Sequence, residues 1–95
     1  MTGQKIVQDF KEYINGGSYN SWYIGITSDI NQRLFIDHNV LEKGGTWIHA
    51  SADSNDIARS VEKYFLDLGC DGGTGGGDNT SETVYAYKKN SNTNP

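Results

Sequence analysis

Cysteine and histidine, the side chains that form zinc sites and carry out thiol redox chemistry, are few in this chain. It has one cysteine, Cys70, and two histidines, His38 and His49. A single cysteine cannot form an internal disulfide, and no pair of Cys or His residues has the spacing of a zinc site. We interpret His49, in an apolar stretch, as a core or edge residue with one hydrogen bond. A hard, oxygen-bound cation is therefore the metal to consider.

A cationic side chain, Arg33, follows the most strongly patterned stretch of the sequence. Residues 22–27 are aromatic and β-branched, which is typical of a half-buried strand, and Gly25 lies where a side chain would block a close approach. Ser28 or Asp29 can then accept from the first free N–H groups of a helix. The face of this helix that we expect to be buried carries Ile30, Leu34 and Leu41. Arg33 lies at the edge of that face, so it can reach the end of the strand without being buried.

These residues form an ordered motif. Tyr-Ile-Gly at residues 23–25, followed by Arg33 and then His38, resembles the second half of the GIY-YIG nuclease motif. In that family the YIG strand leads into a helix with an essential arginine and, in several branches, a histidine one turn later. Downstream, Ala58 and Glu62 are similar to the family's A-x-x-x-E helix, whose glutamate binds the divalent metal. The resemblance covers residues 22–68 and depends on the order of the three elements.

The resemblance implies a metal-dependent endonuclease that hydrolyses phosphodiester bonds, with nucleic acid, expected to be DNA, as its partner. Glu62 would hold one Mg²⁺ or Mn²⁺ ion, and Arg33 would contact the phosphate. Tyr23, together with Tyr85 or His38, would position or deprotonate the water. One carboxylate is enough for such a site, because Mg²⁺ keeps most of its waters and borrows phosphate oxygens.

The first strand of the family pattern is missing from its usual place. GIY-YIG domains pair a GIY strand with the YIG strand as a hairpin, but here the preceding region is predicted to be helical and contains no Gly-Ile-Tyr. We expect the strand at 84–87 to fill this place from the C-terminal side, in a permuted arrangement. Tyr85 would then replace the GIY tyrosine, and its hydroxyl would share one site with that of Tyr23.

Hydrophobic periodicity predicts one domain over residues 1–95 with the element order α-β-α-β-α-β. We predict a first helix over 4–15, with Thr2 as a possible cap, a stop at Gly16-Gly17 and Tyr13 in its apolar stripe. We predict a second helix from Ser28 or Asp29 to 40–45. We predict a third from Asp53 or Ser54 to Gly69, with Tyr64 and Leu68 in its buried stripe. We predict strands at 22–27, 46–51 and 83–88. The fold class is α+β, an α/β sandwich in which helices pack on a small three-stranded sheet. The glycine-rich segment 70–82 is predicted to be a flexible loop and 90–95 a frayed tail.

Composition leaves other functions open. The net charge of −4 argues against general coating of nucleic acid, which depends on neutralising phosphates. The chain could instead be a catalytically inactive GIY-YIG-like binding module, or a small acidic adaptor or inhibitor. The candidate residues also have structural alternatives: Arg33 can pair with Asp37 four residues later, Glu62 can be a solvated helix residue, and Tyr23 can be a core aromatic.

The apolar runs are short, and the N-terminus lacks the apolar core of a signal peptide. Neither a membrane span nor a secretory signal is therefore predicted. We expect a cytoplasmic protein.

Overall fold

The computed structural model describes residues 1–15, 17–73 and 80–95. Within these residues, helices pack on a small antiparallel sheet, which confirms the predicted α+β class and element order. In chain order the elements are α1 (Gly3–Ile14), a 3₁₀ turn (Tyr19–Ser21), β1 (Trp22–Thr27), a π-helix (Asn31–Asp37), β2 (Trp47–Ser51), α2 (Asn55–Leu68) and β3 (Thr83–Lys88).

The last strand, β3, is the centre of the sheet. It lies between β1 and β2 and is antiparallel to both. Tyr23 of β1 lies opposite Tyr87, and Gly25 lies opposite Tyr85. The predicted placement of the C-terminal strand beside the strand of Tyr23 is confirmed.

Both faces of the sheet are covered, because alternate residues of each strand point to opposite sides. On one side α1 and α2 pack against the strands, and the largest buried residues there are Ile6, Phe10, Ile14, Trp22, Ile24, Ile26, Val61, Phe65 and Val84. On the other side the π-helix and the residues after it cover an aromatic cluster formed by Tyr23, Leu34, Val40, Tyr85 and Tyr87. We call the second side the aromatic face.

The two α-helices have the predicted caps. Thr2 accepts from the backbone N–H of Lys5, and Ser54 accepts from that of Ile57. Gly69 ends α2 in the left-handed conformation, with a φ of 115°. The glycine stop predicted after α1 begins at Gly16, outside the described residues, and the left-handed cap of α1 is Asn15.

The buried stripes of these helices are narrower than predicted. Tyr13, Tyr64 and Leu68 are 44%, 39% and 38% exposed, although the 3.6-residue period places them near the apolar face. In each helix, the residues that contact the sheet and the other helix are spaced three or four apart and form one narrow stripe. Residues on either side of this stripe remain at the surface. Tyr64, for example, accepts a hydrogen bond from Lys11 Nζ at 3.3 Å on the outside of the helix pair.

The second predicted helix is shorter and wider than expected. It is a π-helix, in which the N–H of His38 donates to the carbonyl of Arg33, five residues earlier, at 3.0 Å. Asn39 then adopts a positive φ of 56° and ends the helix. The prediction that the helix continues to 40–45 with Leu41 buried is therefore wrong: Leu41 is 58% exposed, and Val40 takes the buried position instead.

Both segments flanking β3 contact the rest of the fold. After α2, the carbonyl of Asp71 accepts from the N–H of Ile24, and the Asp71 N–H donates to the carbonyl of Trp22, both at 2.8 Å. Most of the predicted glycine loop, at 74–79, lies outside the described residues. We expected the tail at 90–95 to be frayed, yet the N–H of Asn94 donates to the carbonyl of His38 at 2.8 Å.

Among the described helices, none combines the length and apolar character needed to cross a membrane.

Candidate functional site

The structure brings four of the five predicted site residues together on the aromatic face. The rings of Tyr23 and Tyr85 stack with centroids 6.3 Å apart, and the ring of His38 lies 4.6 Å from that of Tyr23. Arg33, on the π-helix, extends toward the same two tyrosines. We call Tyr23, Arg33, His38 and Tyr85 the tyrosine cluster.

Gly25 makes room for this cluster. Tyr85 crosses from β3 over the neighbouring strand, and a Cβ atom built on Gly25 would lie 2.6 Å from Tyr85 Cζ. Real Cβ atoms do not come so close to another atom, so a glycine is needed here. The close approach predicted at this glycine is confirmed.

His38 is the best-connected member of the cluster. Its Nε2 lies 2.7 Å from the Tyr85 hydroxyl, and its Nδ1 lies 2.7 Å from the main-chain carbonyl oxygen of Asn94. Burial lowers the pKa of His38, and the charge of Arg33 acts in the same direction, while the Asn94 carbonyl partly opposes the change. The imidazole is therefore neutral at pH 7, and only 5% of the residue is exposed.

Arg33 is the most exposed member of the tyrosine cluster, with 35% of its side chain exposed. Its Nη1 lies 3.7 Å from Asp37 Oδ2, so the predicted i,i+4 pair is present. The guanidinium also meets the hydroxyl of Tyr85, which raises the already high pKa of Arg33. Its Nε, however, is buried and has no hydrogen-bond partner in the described part of the chain. A buried donor without a partner costs free energy, which an added acceptor would recover.

Glu62 comes from α2, on the opposite side of the sheet from the π-helix. The residue is half-buried, and burial raises the pKa of its carboxyl while the charge of Arg59 lowers it. The charges of Glu62 and Arg33 both influence the pKa values of Tyr23 and Tyr85. Glu62 therefore lies within electrostatic reach of the tyrosine cluster.

The tyrosines of the cluster are not bases at neutral pH. Burial raises the pKa of Tyr23, which the N–H of Gly73 and the charge of Arg33 only partly offset. Burial also raises the pKa of Tyr85 well above its usual value, despite the hydrogen-bonding contact with Arg33. Both hydroxyls therefore keep their protons and act through hydrogen bonds.

Sequence reasoning missed two members of this site. The Tyr87 hydroxyl lies 3.1 Å from His38 Nδ1 and 3.4 Å from the Asn94 carbonyl oxygen. Strand alternation was a usable signal for Tyr87, because it shares a face with Tyr85. Nothing in the local sequence distinguished Asn94 from the other polar residues of the tail.

A metal would depend on Glu62. Among the described residues, no group of three or more His, Cys, Asp or Glu side chains lies close enough together to hold an ion. A single carboxylate can still bind Mg²⁺, because this ion keeps most of its water ligands. Burying the ionised Glu62 costs free energy, and a bound cation would offset that cost. Cys70 is a poor ligand and nucleophile, since burial raises the pKa of its thiol to about 11.

No protein-family model, curated protein or solved structure matches this chain. Its function must therefore be argued from the residues and the geometry described above.

Proposed function

We propose that this chain is a GIY-YIG-like endonuclease that hydrolyses nucleic-acid phosphodiester bonds, with DNA as the expected substrate and one divalent metal ion as cofactor. The observation that carries the proposal is the convergence of Arg33, Tyr23, Tyr85 and His38, with Glu62 within electrostatic reach. Phosphodiester hydrolysis needs a cation against the phosphate, a carboxylate for the metal and a group that holds the water. Arg33, Glu62 and Tyr23 are candidates for these three roles.

Arg33 binds the scissile phosphate in this proposal. Its guanidinium is partly exposed, and its Nε is a buried donor without a partner among the described residues. Phosphate oxygens are acceptors that suit the fixed donor geometry of a guanidinium. The exposed part of the Arg33 side chain would donate to a phosphate oxygen and place positive charge where negative charge develops in the transition state.

Glu62 holds the Mg²⁺ or Mn²⁺ ion. When bound, such an ion polarises the phosphate and lowers the pKa of a coordinated water. The chain itself contributes a half-buried carboxylate whose pKa is raised by burial, which the charge of Arg59 only partly offsets. Substrate oxygens and waters complete the ligand set, as is common for magnesium.

Tyr23 orients the attacking water through its protonated hydroxyl. The hydroxyl oxygen also accepts a hydrogen bond from the backbone N–H of Gly73. The polar atoms of Tyr85 and His38 are already engaged: His38 Nε2 lies 2.7 Å from the Tyr85 hydroxyl, and His38 Nδ1 lies 2.7 Å from the Asn94 carbonyl oxygen. In this proposal they therefore do not touch the substrate and instead hold Arg33 in place. They are positioning residues rather than catalytic ones.

A catalytically inactive binding module is the second candidate. Two of the lysines available to attract nucleic acid are already paired with carboxylates: Lys63 Nζ lies 3.1 Å from Asp67 Oδ2, and Lys89 Nζ lies 3.3 Å from Asp71 Oδ2. Together with the net charge of −4, these pairs reduce the general attraction to phosphate. They argue against general attraction to nucleic acid and favour a module that recognises a specific partner.

One experiment separates the two candidates. Wild type is incubated with Mn²⁺ and a panel of duplex, branched and single-stranded DNA and RNA, alongside Arg33→Ala and Glu62→Gln. The endonuclease predicts metal-dependent cleavage, reduced by about a hundredfold or more in each variant, since each removes a charge used in the transition state. Fold should survive both changes, which circular dichroism would check.

Matched controls come from α1, which contributes no residue to the proposed site. Glu12→Gln repeats the carboxylate-to-amide change, and Lys5→Ala repeats the loss of a cationic side chain; neither should alter cleavage. A folded wild type that cleaves no substrate with Mn²⁺ or Mg²⁺ would overturn the endonuclease. Binding of one of these nucleic acids that is independent of metal, weakened by Arg33→Ala and unaffected by Glu62→Gln would instead support the binding module.

A further inference from the structure

Arg33, Tyr85, His38 and Asn94 form a chain of hydrogen bonds. The direction of each bond can be assigned by starting from the two ends of this chain. At one end is Arg33, whose guanidinium has only donors. The Tyr85 oxygen that meets it must therefore act as an acceptor there, and the Tyr85 hydroxyl proton must point elsewhere. The neighbour available to receive it is His38 Nε2, at 2.7 Å.

At the other end is the carbonyl of Asn94, which can only accept. It lies 2.7 Å from His38 Nδ1, so Nδ1 must carry the proton of the neutral imidazole. Nε2 is then free to accept from Tyr85, in agreement with the assignment from the arginine end. Tyr87 fits the same pattern, because its oxygen can accept from Nδ1–H while its own proton points toward the Asn94 carbonyl, 3.4 Å away.

The opposite tautomer would break this pattern. With the proton on Nε2, His38 would donate to the Tyr85 oxygen, which also faces the donors of Arg33. The Tyr85 proton would then have neither the histidine nor the arginine as an acceptor. A buried hydroxyl without an acceptor is costly, so Tyr85 would reorient and Arg33 would lose its contact.

We propose that Asn94 is a positioning residue whose main chain selects the Nδ1–H tautomer of His38 and thereby, through Tyr85, orients Arg33. Its two main-chain groups both bind His38: the carbonyl accepts from Nδ1–H, and the N–H donates to the His38 carbonyl at 2.8 Å. A backbone carbonyl that fixes the tautomer of a functional histidine is a familiar arrangement. The catalytic consequence rests on the proposed function, because it assumes that Arg33 contacts phosphate; the tautomer does not.

Nitrogen-15 NMR of the His38 ring tests the proposal directly. Wild type should show a protonated Nδ1 and an unprotonated Nε2 at neutral pH. Asn94→Pro removes the N–H that docks this segment, so the fraction with a protonated Nε2 should rise severalfold. The matched control is Ser91→Pro, because Ser91 is the second residue of a turn closed by the Thr93 N–H and the Asn90 carbonyl, a position where proline is favoured.

Cleavage measured on the same proteins adds the functional consequence. We expect Asn94→Pro to lower the cleavage rate by about tenfold or more and Ser91→Pro to leave it unchanged. A wild-type histidine protonated on Nε2, or an Asn94→Pro variant that keeps the wild-type tautomer, would overturn the positioning role. A wild type with the expected tautomer but no cleavage would overturn the proposed function instead and leave the tautomer assignment standing.

Discussion

The hydroxyl of Tyr85 lies over Gly25, so close that a Cβ atom at position 25 would be 2.5 Å from the hydroxyl oxygen. The two residues are also paired across β1 and β3. Tyr85 can therefore reach His38 and Arg33 only because its partner on the neighbouring strand has no side chain. The glycine of the Tyr-Ile-Gly motif is thus part of the geometry of the site.

Replacing this glycine should disturb both stability and the site. In Gly25→Ala the new methyl group must displace Tyr85, and we expect the free energy of unfolding to fall by about 1–3 kcal/mol, as for other overpacked cores. Chemical denaturation measures the change. Gly3→Ala is the control, because its Cβ would meet Ile57 at an ordinary 3.4 Å. Equal midpoints for the two variants would contradict the close packing.

Each side of the sheet has a residue whose truncation should be costly. Leu34 on the aromatic face and Phe65 of α2, on the other side of the sheet, are both 0% exposed. Alanine at either position should therefore lower the free energy of unfolding by about 2–5 kcal/mol. Leu41→Ala removes the same atoms as Leu34→Ala, but from an exposed residue. It should change the free energy of unfolding by less than about 0.5 kcal/mol. Denaturation midpoints that do not separate the two leucine variants would show that the buried face is wrongly assigned.

Stability should depend on the protonation of His38. Burial lowers the pKa of His38 in the folded state below its ordinary value of 6.5, so the unfolded chain binds more protons just below that pH. The free energy of unfolding should therefore be highest above pH 6.5 and fall on acidification until the lower folded-state pKa is passed, by at most about 1.4 kcal/mol per pH unit. Denaturation at several pH values should give a flatter profile for His38→Gln. Parallel profiles for the two proteins would count against a depressed pKa.

A cation at Glu62 should be visible without any substrate. Burial raises the pKa of this carboxyl in the free protein, and a bound cation favours the ionised form, so Mg²⁺ should lower the pKa of Glu62. Carbon-13 NMR titration of the side-chain carboxyl, with and without Mg²⁺, measures the change. Glu62→Gln is the control: its spectrum should lose the signal that responds to the ion. A Glu62 titration that is the same in both conditions would remove the proposed metal site.

The parts of the fold that were predictable depend on local sequence or on alternation. Thr2, Ser54 and Gly69 cap helices through their own chemistry. Gly69 was identified in advance, Thr2 was a possible cap, and Ser54 was one of two candidates with Asp53. The position of β3 beside β1 followed from the missing GIY strand and the spare strand at the end of the chain. Tyr85 was placed near Tyr23 by the same argument.

The parts that were not predictable depend on contacts between distant segments. A 3.6-residue period cannot reveal a π-helix, whose i→i+5 hydrogen bond brings Arg33 and His38 to the same side of the helix. The contribution of Asn94 could not be predicted either, because it binds through main-chain atoms that every residue has. The exposure of Leu41 follows from the left-handed backbone at Asn39, which ends the helix early.

The central position of β3 has a consequence for how the protein is made. Synthesis runs from the N-terminus, and β1 and β2 are both complete long before residues 83–88 emerge from the ribosome. In the described fold these two strands pair with β3 and not with each other. Until β3 arrives, the nascent chain therefore carries two unpaired strands rich in aromatic and β-branched residues, the kind of segment that associates with other chains. The three-stranded sheet can therefore form only once β3 has been synthesised.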